Sequence, residues 1–515
     1  MKKTYRLLGL STALILAACV STNPATGGHM FTTVSEDQEY AIGAKAVQSA
    51  IKEEGLYKED EALYDYYKVL GMKLEAVTER QEKPLEFLML DSPTYNAWAT
   101  PGYVNIYRGI LPYFNSEAEL VAVMAHEAGH INARHTARQI TKGTLAQILV
   151  TGAAIYAGSQ TDSSEVANLA GVVAGVGATL AMQGYSRSYE READDLALRY
   201  MGKMGYDARE AHNVFRGMAA YHSYYEQKYA LFNDGKIPPK SPFYHLLLSH
   251  PEPKDRMAQV AETVGLPDGS VRLPTGVQPA TPQNDPQGRT RYLKQIDGIS
   301  VGPKPDNGVA TRTHFYHEKH RFKWQLPKGT ALDWTGQNWE GVNIHDKTKI
   351  KIGFATAEKD DPDFDPEEAL RQLFPRATDV EKASVGGRTA YTAVAGSGQE
   401  RTRIVVLHSG KTAQDKTKGR HFIVLTFEAT AEKDADIRTS LNHFTYLTLT
   451  QAEKIQPLRL RAVTVKKGDT LDSLANRMAT NVVPKQWFMA INGVDENTPL
   501  ISGMQVKLVV NENTL

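Results

Sequence analysis

At 515 residues the chain is longer than one ordinary core covers, and about two to four domains are expected. Its 41% apolar and 23% charged residues are an ordinary globular composition, which excludes disorder or multiple membrane spans as whole-chain readings. Fifty-nine basic side chains balance 59 acidic ones, so no basic surplus points to a nucleic-acid partner.

In chain order, Met1–Arg6 reads as a basic leader and Leu7–Ala18 as an apolar run, long enough for a signal-peptide core and too short to span a bilayer. The run ends in Leu16-Ala17-Ala18-Cys19, which resembles the bacterial lipobox, where cleavage leaves the cysteine as a lipidated N-terminus. Cys19 is the only cysteine, so the chain can form no internal disulfide. Val20 and Ser21 follow it, without the aspartate that retains many lipoproteins in the inner membrane. The expectation is a protein anchored by an N-terminal lipid to the outer membrane, facing the periplasm.

A short polar tether is expected from Cys19 to about Gly28, then a helix-rich region to about residue 263. Helical periodicity runs through "SEDQEYAIGAKAVQSAIKEE", with Ser35 as N-cap, and again over 64–77. The apolar stretches 145–158 and 166–183 fall short of a spanning helix and are expected to be buried or to graze a membrane. Residues 264–290 hold five prolines and four glycines, and 264–309 is read as a linker. From 310 to 455 short apolar runs ("IKIGFATA", "RTAYTAVA", "RIVVLHSG", "HFIVLTFEAT") alternate with two helical segments, "DPEEALRQLF" and "KDADIRTSLNHF". That pattern predicts an α+β domain with a mainly antiparallel sheet. The histidines of "HFYHEKH" at 314–320 do not converge at their spacing, and a polar loop is expected there.

The chemistry concentrates in "VMAHEAGHINARH", Val123 to His135. On a helix His126 and His130 lie on one face, where two imidazoles can direct nitrogens at one ion from about 2.0–2.1 Å, the zinc distance. Glu127, beside them, reaches the rim of such a site, where it can take a proton from a water activated there. His135 is nine residues from His126, about half a turn around an unbroken helix, and is expected to be a structural or surface residue of that helix. A third ligand has to come from elsewhere. In "SRSYEREADD" Glu190 and Asp194 are also four apart, so Glu190 can bind the ion while Asp194 accepts the Nδ1 proton of a ligating histidine.

His-Glu-Ala-Gly-His followed by Glu190-Arg-Glu-Ala-Asp194 resembles the M48 peptidases, a gluzincin family. "NAWATPGYVNIYRGIL" at 96–111 resembles the family's strand and turn before the zinc helix, and "SHPEPKDRM" at 249–257 its His-Pro motif. The resemblance covers about 30–263. It implies one zinc ion per chain, ligated by His126, His130 and Glu190, with Glu127 as general base for peptide hydrolysis. The strand carrying Tyr103, Asn105 and Tyr107 is read as an edge strand that pairs with extended substrate. His250 either donates to the oxyanion of the tetrahedral intermediate or occupies zinc's fourth position and keeps the enzyme latent. Arg256 is expected to pair with an acidic side chain and position that segment.

"VTVKKGDTLDSLANRM" with "FMAING" and "ISGMQVKLVV" resembles a LysM module over 460–511, a β-α-β unit whose family commonly binds N-acetylglucosamine-containing glycans, so peptidoglycan is the implied partner. The fold class expected is thus multidomain α+β: a mainly helical gluzincin-type domain, an antiparallel-sheet α+β domain, and the LysM-like module. Two functions compete. One is a zinc endopeptidase acting on misfolded or unassembled envelope proteins. The other is a lipid-anchored, chaperone-like or peptidoglycan-associated adaptor with latent proteolysis.

Overall fold

A computed structural model describes residues 20–156, 185–236, 253–263, 288–357, 365–396, 400–410 and 420–515. The leader with Cys19, the apolar stretch 166–183, His250 and the whole 264–287 segment lie outside the described residues. The chain divides into two compact units. The first comprises Met1–His222, Lys240–Ile296 and Ile491–Pro499; the second comprises Ser223–Pro239, Asp297–Ala490 and Leu500–Leu515.

The first unit begins with a hairpin of β1 (Val20–Thr22) and β2 (His29–Phe31), where a polar tether was expected. Asn23 is the reason. Its side chain and backbone close the turn by bonding Ala25 N and Gly28 O, and its Nδ2 donates to Glu192 at 2.7 Å. Helix α1 (Glu36–Glu54) starts at Ser35 with a reciprocal capping box to Gln38, and α2 (Glu61–Glu75) starts at Asp60. A three-stranded sheet follows in the order β3 (Glu86–Leu90), β5 (Tyr103–Tyr107), β4 (Ala97–Thr100). The expectation that Tyr103, Asn105 and Tyr107 form an edge is therefore wrong. β5 is central, parallel to β3 and antiparallel to β4, and Asn105 is buried with its amide on Trp98 O. The pairing with β3 is non-local, which is why the run "GYVNIY" by itself looks half-exposed. Gly43 of α1 lies against the Pro101 carbonyl of the β4–β5 turn, too close for a Cβ. Gly43→Ala is expected to cost about 1–3 kcal/mol of stability, read as a lower melting temperature; an unchanged melt would show that the turn yields freely.

Helix α3 (Glu117–Asn132) carries the His-Glu-x-x-His stretch and is buried along its whole length. It does not continue through His135. Arg134 adopts φ 53°, in the left-handed region, and a new helix, α4, runs His135–Tyr156. α5 (Arg187–Lys203) crosses α3 at Gly129, where a Cβ would stand 3.1 Å from the Ala193 carbonyl. α6 (Glu210–Phe232), α7 (Pro253–Thr263) and α8 (Arg289–Ile296) follow. α8 corrects the linker assignment: Tyr292, Leu293 and Ile296 are buried, Tyr292 donates to Leu111 O, and Arg291 pairs with Glu117. Among the described residues no helix is long and apolar enough to cross a membrane.

In the second unit β6 (Ser300–Val301), also inside the expected linker, pairs with a later strand. β7 (Val309–Ala310), β8 (His314–His317) and β9 (Phe322–Gln325) form a four-stranded sheet with β17 (Phe444–Tyr446). The larger sheet has seven antiparallel strands: β10 (Thr330–Trp334), β11 (Trp339–Asn343), β12 (Lys349–Ala357), then β16 (Arg420–Thr430), β15 (Glu400–His408), β14 (Arg388–Ala395) and β13 (Thr378–Val385). Its faces follow the two-residue period. Val405, Leu407, Ile423 and Leu425 pack with Phe315, Phe322 and Trp324 on one side. Ile404, Val406 and Phe422 pack on the other against α9 (Pro366–Leu373), which Asp365 caps. The expected polar loop at 314–320 is instead strand and tight turn. His317 and His320 are buried, and His320 stacks on Phe354 at 4.2 Å with its Nδ1 on Ser409.

Short helices α10 (Asp434–Ser440) and α11 (Leu449–Ala452) lead to the C-terminal module. There β18 (Leu458–Thr464), α12 (Leu471–Ala475), α13 (Pro484–Asn492) and β19 (Gln505–Val510) form β-α-α-β, with β6 as third strand beside β18. The second helix, which carries Trp487, is absent from a β-α-β reading.

Candidate metal centre

α3 and α5 present four side chains to one point because both place chemistry at i and i+4 and Gly129 lets their backbones close up. His126 Nε2 and His130 Nε2 stand 3.0 Å apart, and the Glu190 carboxylate oxygens lie 3.5 Å from the first and 3.4 Å from the second. Three donors held about 2.0–2.1 Å from one ion at tetrahedral angles are about 3.3 Å from one another, so the set fits zinc. Among the described residues these three are the group whose ligand atoms could hold a metal. All are buried.

The partners behind the ligands fix which ring nitrogen carries the proton. His126 Nδ1 donates to Asp194 Oδ1 at 2.9 Å, which leaves its Nε2 lone pair toward His130 and Glu190. Burial and Arg256 push the His126 value down, and the bonds to Asp194 and Glu190 outweigh them and raise it. Arg256 lies on α7, not on a loop. It contacts both Asp194 oxygens, at 2.6 and 2.8 Å, and reaches Glu190 at 3.0 Å over the Phe215 ring. Burial pushes Asp194 up, but the guanidinium and His126 hold its carboxyl below the usual range.

His135 is not a bystander on the far side of α3. The break at Arg134 turns it back, fully buried, so that its Nδ1 stands 2.8 Å from His130 Nδ1. Its Nε2 stands 3.2 Å from Glu192, which also takes Arg138 Nη1 at 2.9 Å and Asn23 Nδ2 at 2.7 Å. Burial pushes Glu192 up, but the hydrogen bonds from His135 and Arg138 outweigh it and bring its pKa to about 2. Burial, partly offset by Glu192, lowers the His135 value. Tyr185 stacks on His130 at 4.0 Å and Tyr189 on His135 at 4.5 Å, closing both rings in. The sequence offered one signal for Glu192, its place between Glu190 and Asp194, and none for the helix break, since Arg134 is not a residue type that favours positive φ.

Glu127 is 3% exposed and, with His126, lines an apolar cleft walled by Ala97, Ile110, Val123, Val214, Phe215 and Met218. Ala97 begins β4, an edge strand of the sheet. Tyr103 and Tyr107, at the ends of central β5, are partly exposed. Such an arrangement joins a site for a divalent ion, a carboxylate next to it and an apolar recess for a side chain.

Comparison with known proteins agrees with this arrangement. Residues 68–264 match the family model "Peptidase family M48" and residues 463–509 match "LysM domain". The chain is similar to the beta-barrel assembly-enhancing protease of Yersinia pestis, 28% identical over 249 residues, 46% of each chain. It is similar to the protein of that name from Escherichia coli K12, 27% identical over 253 residues, 47% of each. It also resembles the mitochondrial metalloendopeptidase OMA1 of Arabidopsis thaliana, 31% identical over 201 residues, 38% of each. The chain thus spans about half the length, or less, of these curated relatives.

Proposed function

Starting from a chain that carries a peptidase family M48 domain and a LysM domain, we propose a zinc-dependent endopeptidase of the bacterial cell envelope that cleaves misfolded or unassembled envelope proteins. The observation that carries this reading is the convergence of His126, His130 and Glu190, with Glu127 on the adjoining cleft wall. Zinc, when bound by the three ligands, supplies Lewis acidity toward a peptide carbonyl and a water molecule. The Glu127 carboxylate takes the proton of the attacking water and passes it to the leaving amine nitrogen. Asp194 holds the His126 ring by its Nδ1 proton, and Arg256 offsets the charge of Asp194 and Glu190 in the buried site. Substrate lies extended along β4, the edge beside the cleft, with a side chain in the apolar recess. The Ser-His-Pro stretch at 249–251 supports a further role for His250, as an oxyanion donor or as a ligand that keeps the enzyme latent.

The name of the relatives, beta-barrel assembly-enhancing protease, supports beta-barrel proteins as the substrate class. The lipobox-like stretch ending at Cys19 supports a lipid anchor on the periplasmic face of the outer membrane. The LysM match supports a second contact, with peptidoglycan glycans. The test is degradation of casein and of an unfolded outer-membrane protein by the purified full chain, with and without chelator. Cleavage is expected to stop on chelation and return with zinc. Equal cleavage in both samples would end the metal assignment; no cleavage, together with tight glycan binding, would favour the adaptor.

A further inference from the structure

Behind the metal ligand His130 runs a line of polar groups, from buried His130 and His135 to half-buried Glu192 and Arg138, that the proposed hydrolysis does not use. It passes from His130 Nδ1 to His135 Nδ1, from His135 Nε2 to Glu192, and from Glu192 to Arg138 and to Asn23 in the β1–β2 hairpin. With His135 as the neutral imidazole, each link has one self-consistent proton assignment. Glu192, held ionised by Arg138 and Asn23, can only accept, so His135 carries its proton on Nε2. His135 Nδ1 is then a lone pair and can only accept, so His130 carries its proton on Nδ1. That leaves His130 Nε2 unprotonated, on the side facing His126 and Glu190. His126 reaches the same state by a shorter route, directly on Asp194.

We propose that His135 is a positioning residue: supported by Glu192 and the N-terminal hairpin through Asn23, it holds His130 in the tautomer and orientation that present Nε2 to the metal. This rests on the metallopeptidase reading above. Three features favour it over a packing role for His135. The chain accepts a left-handed, non-glycine residue at Arg134 to bring His135 back to the site. Tyr185 and Tyr189 clamp the two rings face to face, which fixes the ring planes and so the direction of each nitrogen. Finally, the hairpin contributes through a 2.7 Å bond from Asn23, placing a residue 169 positions before Glu192 on the same line. A supporting partner of this kind affects metal affinity by about 10–100-fold when removed.

The experiment measures zinc dissociation from the full chain by competition with a chromogenic chelator, with the cobalt(II)-substituted absorption spectrum as a second readout. His135→Leu is expected to weaken zinc by about 10–100-fold and to change the cobalt spectrum. His135→Asn, whose side-chain oxygen stands where Nδ1 stood, is expected to recover most of that loss. Asn23→Ala and Glu192→Gln are expected to weaken zinc by smaller factors. The proposal is overturned if folded His135→Leu binds zinc as tightly as the parent, or if His135→Asn is as weak as His135→Leu. Should His135→Leu fail to fold, parental affinity in both Asn23→Ala and Glu192→Gln overturns it. A parent chain that binds no zinc at one ion per chain would overturn the metallopeptidase reading instead, so the two failures are distinguishable.

Discussion

Glu127→Gln is expected to lower peptide hydrolysis by about 10²–10⁴-fold while zinc content stays at the parental level. The amide matches the carboxylate in size, so the cleft wall it shares with His126, Val123 and Ile110 keeps its shape. What is lost is the capacity to take a proton. Glu127 is not among the three side chains that converge to hold an ion, so removing its charge leaves the ligand set whole. The measurement pairs casein hydrolysis with metal analysis of the same sample. Parental hydrolysis in the variant would remove Glu127 from the chemistry, and loss of zinc along with activity would make it a structural part of the metal site.

Arg256→Met is expected to have the largest effect on stability. The guanidinium lies within 2.6 Å of Asp194 and 3.0 Å of Glu190, and all three side chains are buried. Methionine replaces its volume but leaves two buried carboxylates side by side without their cation. Breaking such a pair costs about 3–5 kcal/mol, which for a unit of this size lowers the melting temperature by roughly 5–8 °C. The loss is expected to be greatest in chelated protein and smaller with zinc, because a dication among the same carboxylates offsets part of the missing charge. Thermal melts of parent and variant, each with and without zinc, check both the size and the difference. Equal shifts in the two states would show that Arg256 and the ion act independently.

The parts of the centre that could be read from the sequence are those set by one helical period. His126 with His130, and Glu190 with Asp194, need nothing beyond spacing to share a face. Ser35, Asp60 and Asp365 likewise announce their helices because a cap is local. What escaped depends on distant partners. β5 reads as an edge until β3 pairs with it, and the buried His317 and His320 look polar until the seven-stranded sheet covers them. The sequence suggests an acidic partner for Arg256, but which carboxylates it joins is a matter of how α7 packs on α5. In the C-terminal module a local signal was present and missed: Pro484 opens the second helix at its first turn, where proline is favoured.

The helix break at Arg134 sets a limit on changes in length. Deleting Ala133, or adding a residue beside it, leaves His-Glu-Ala-Gly-His intact and leaves α3 fully formed. It nevertheless shifts the phase in which the following helix starts, and one residue is worth about 100° of rotation. Position 135 would then swing away from His130, taking Glu192 and Asn23 out of line. In this chain the two residues between α3 and α4 work as a spacer of fixed count, so a variant or a relative can match the metal motif letter for letter and still lack the support behind it.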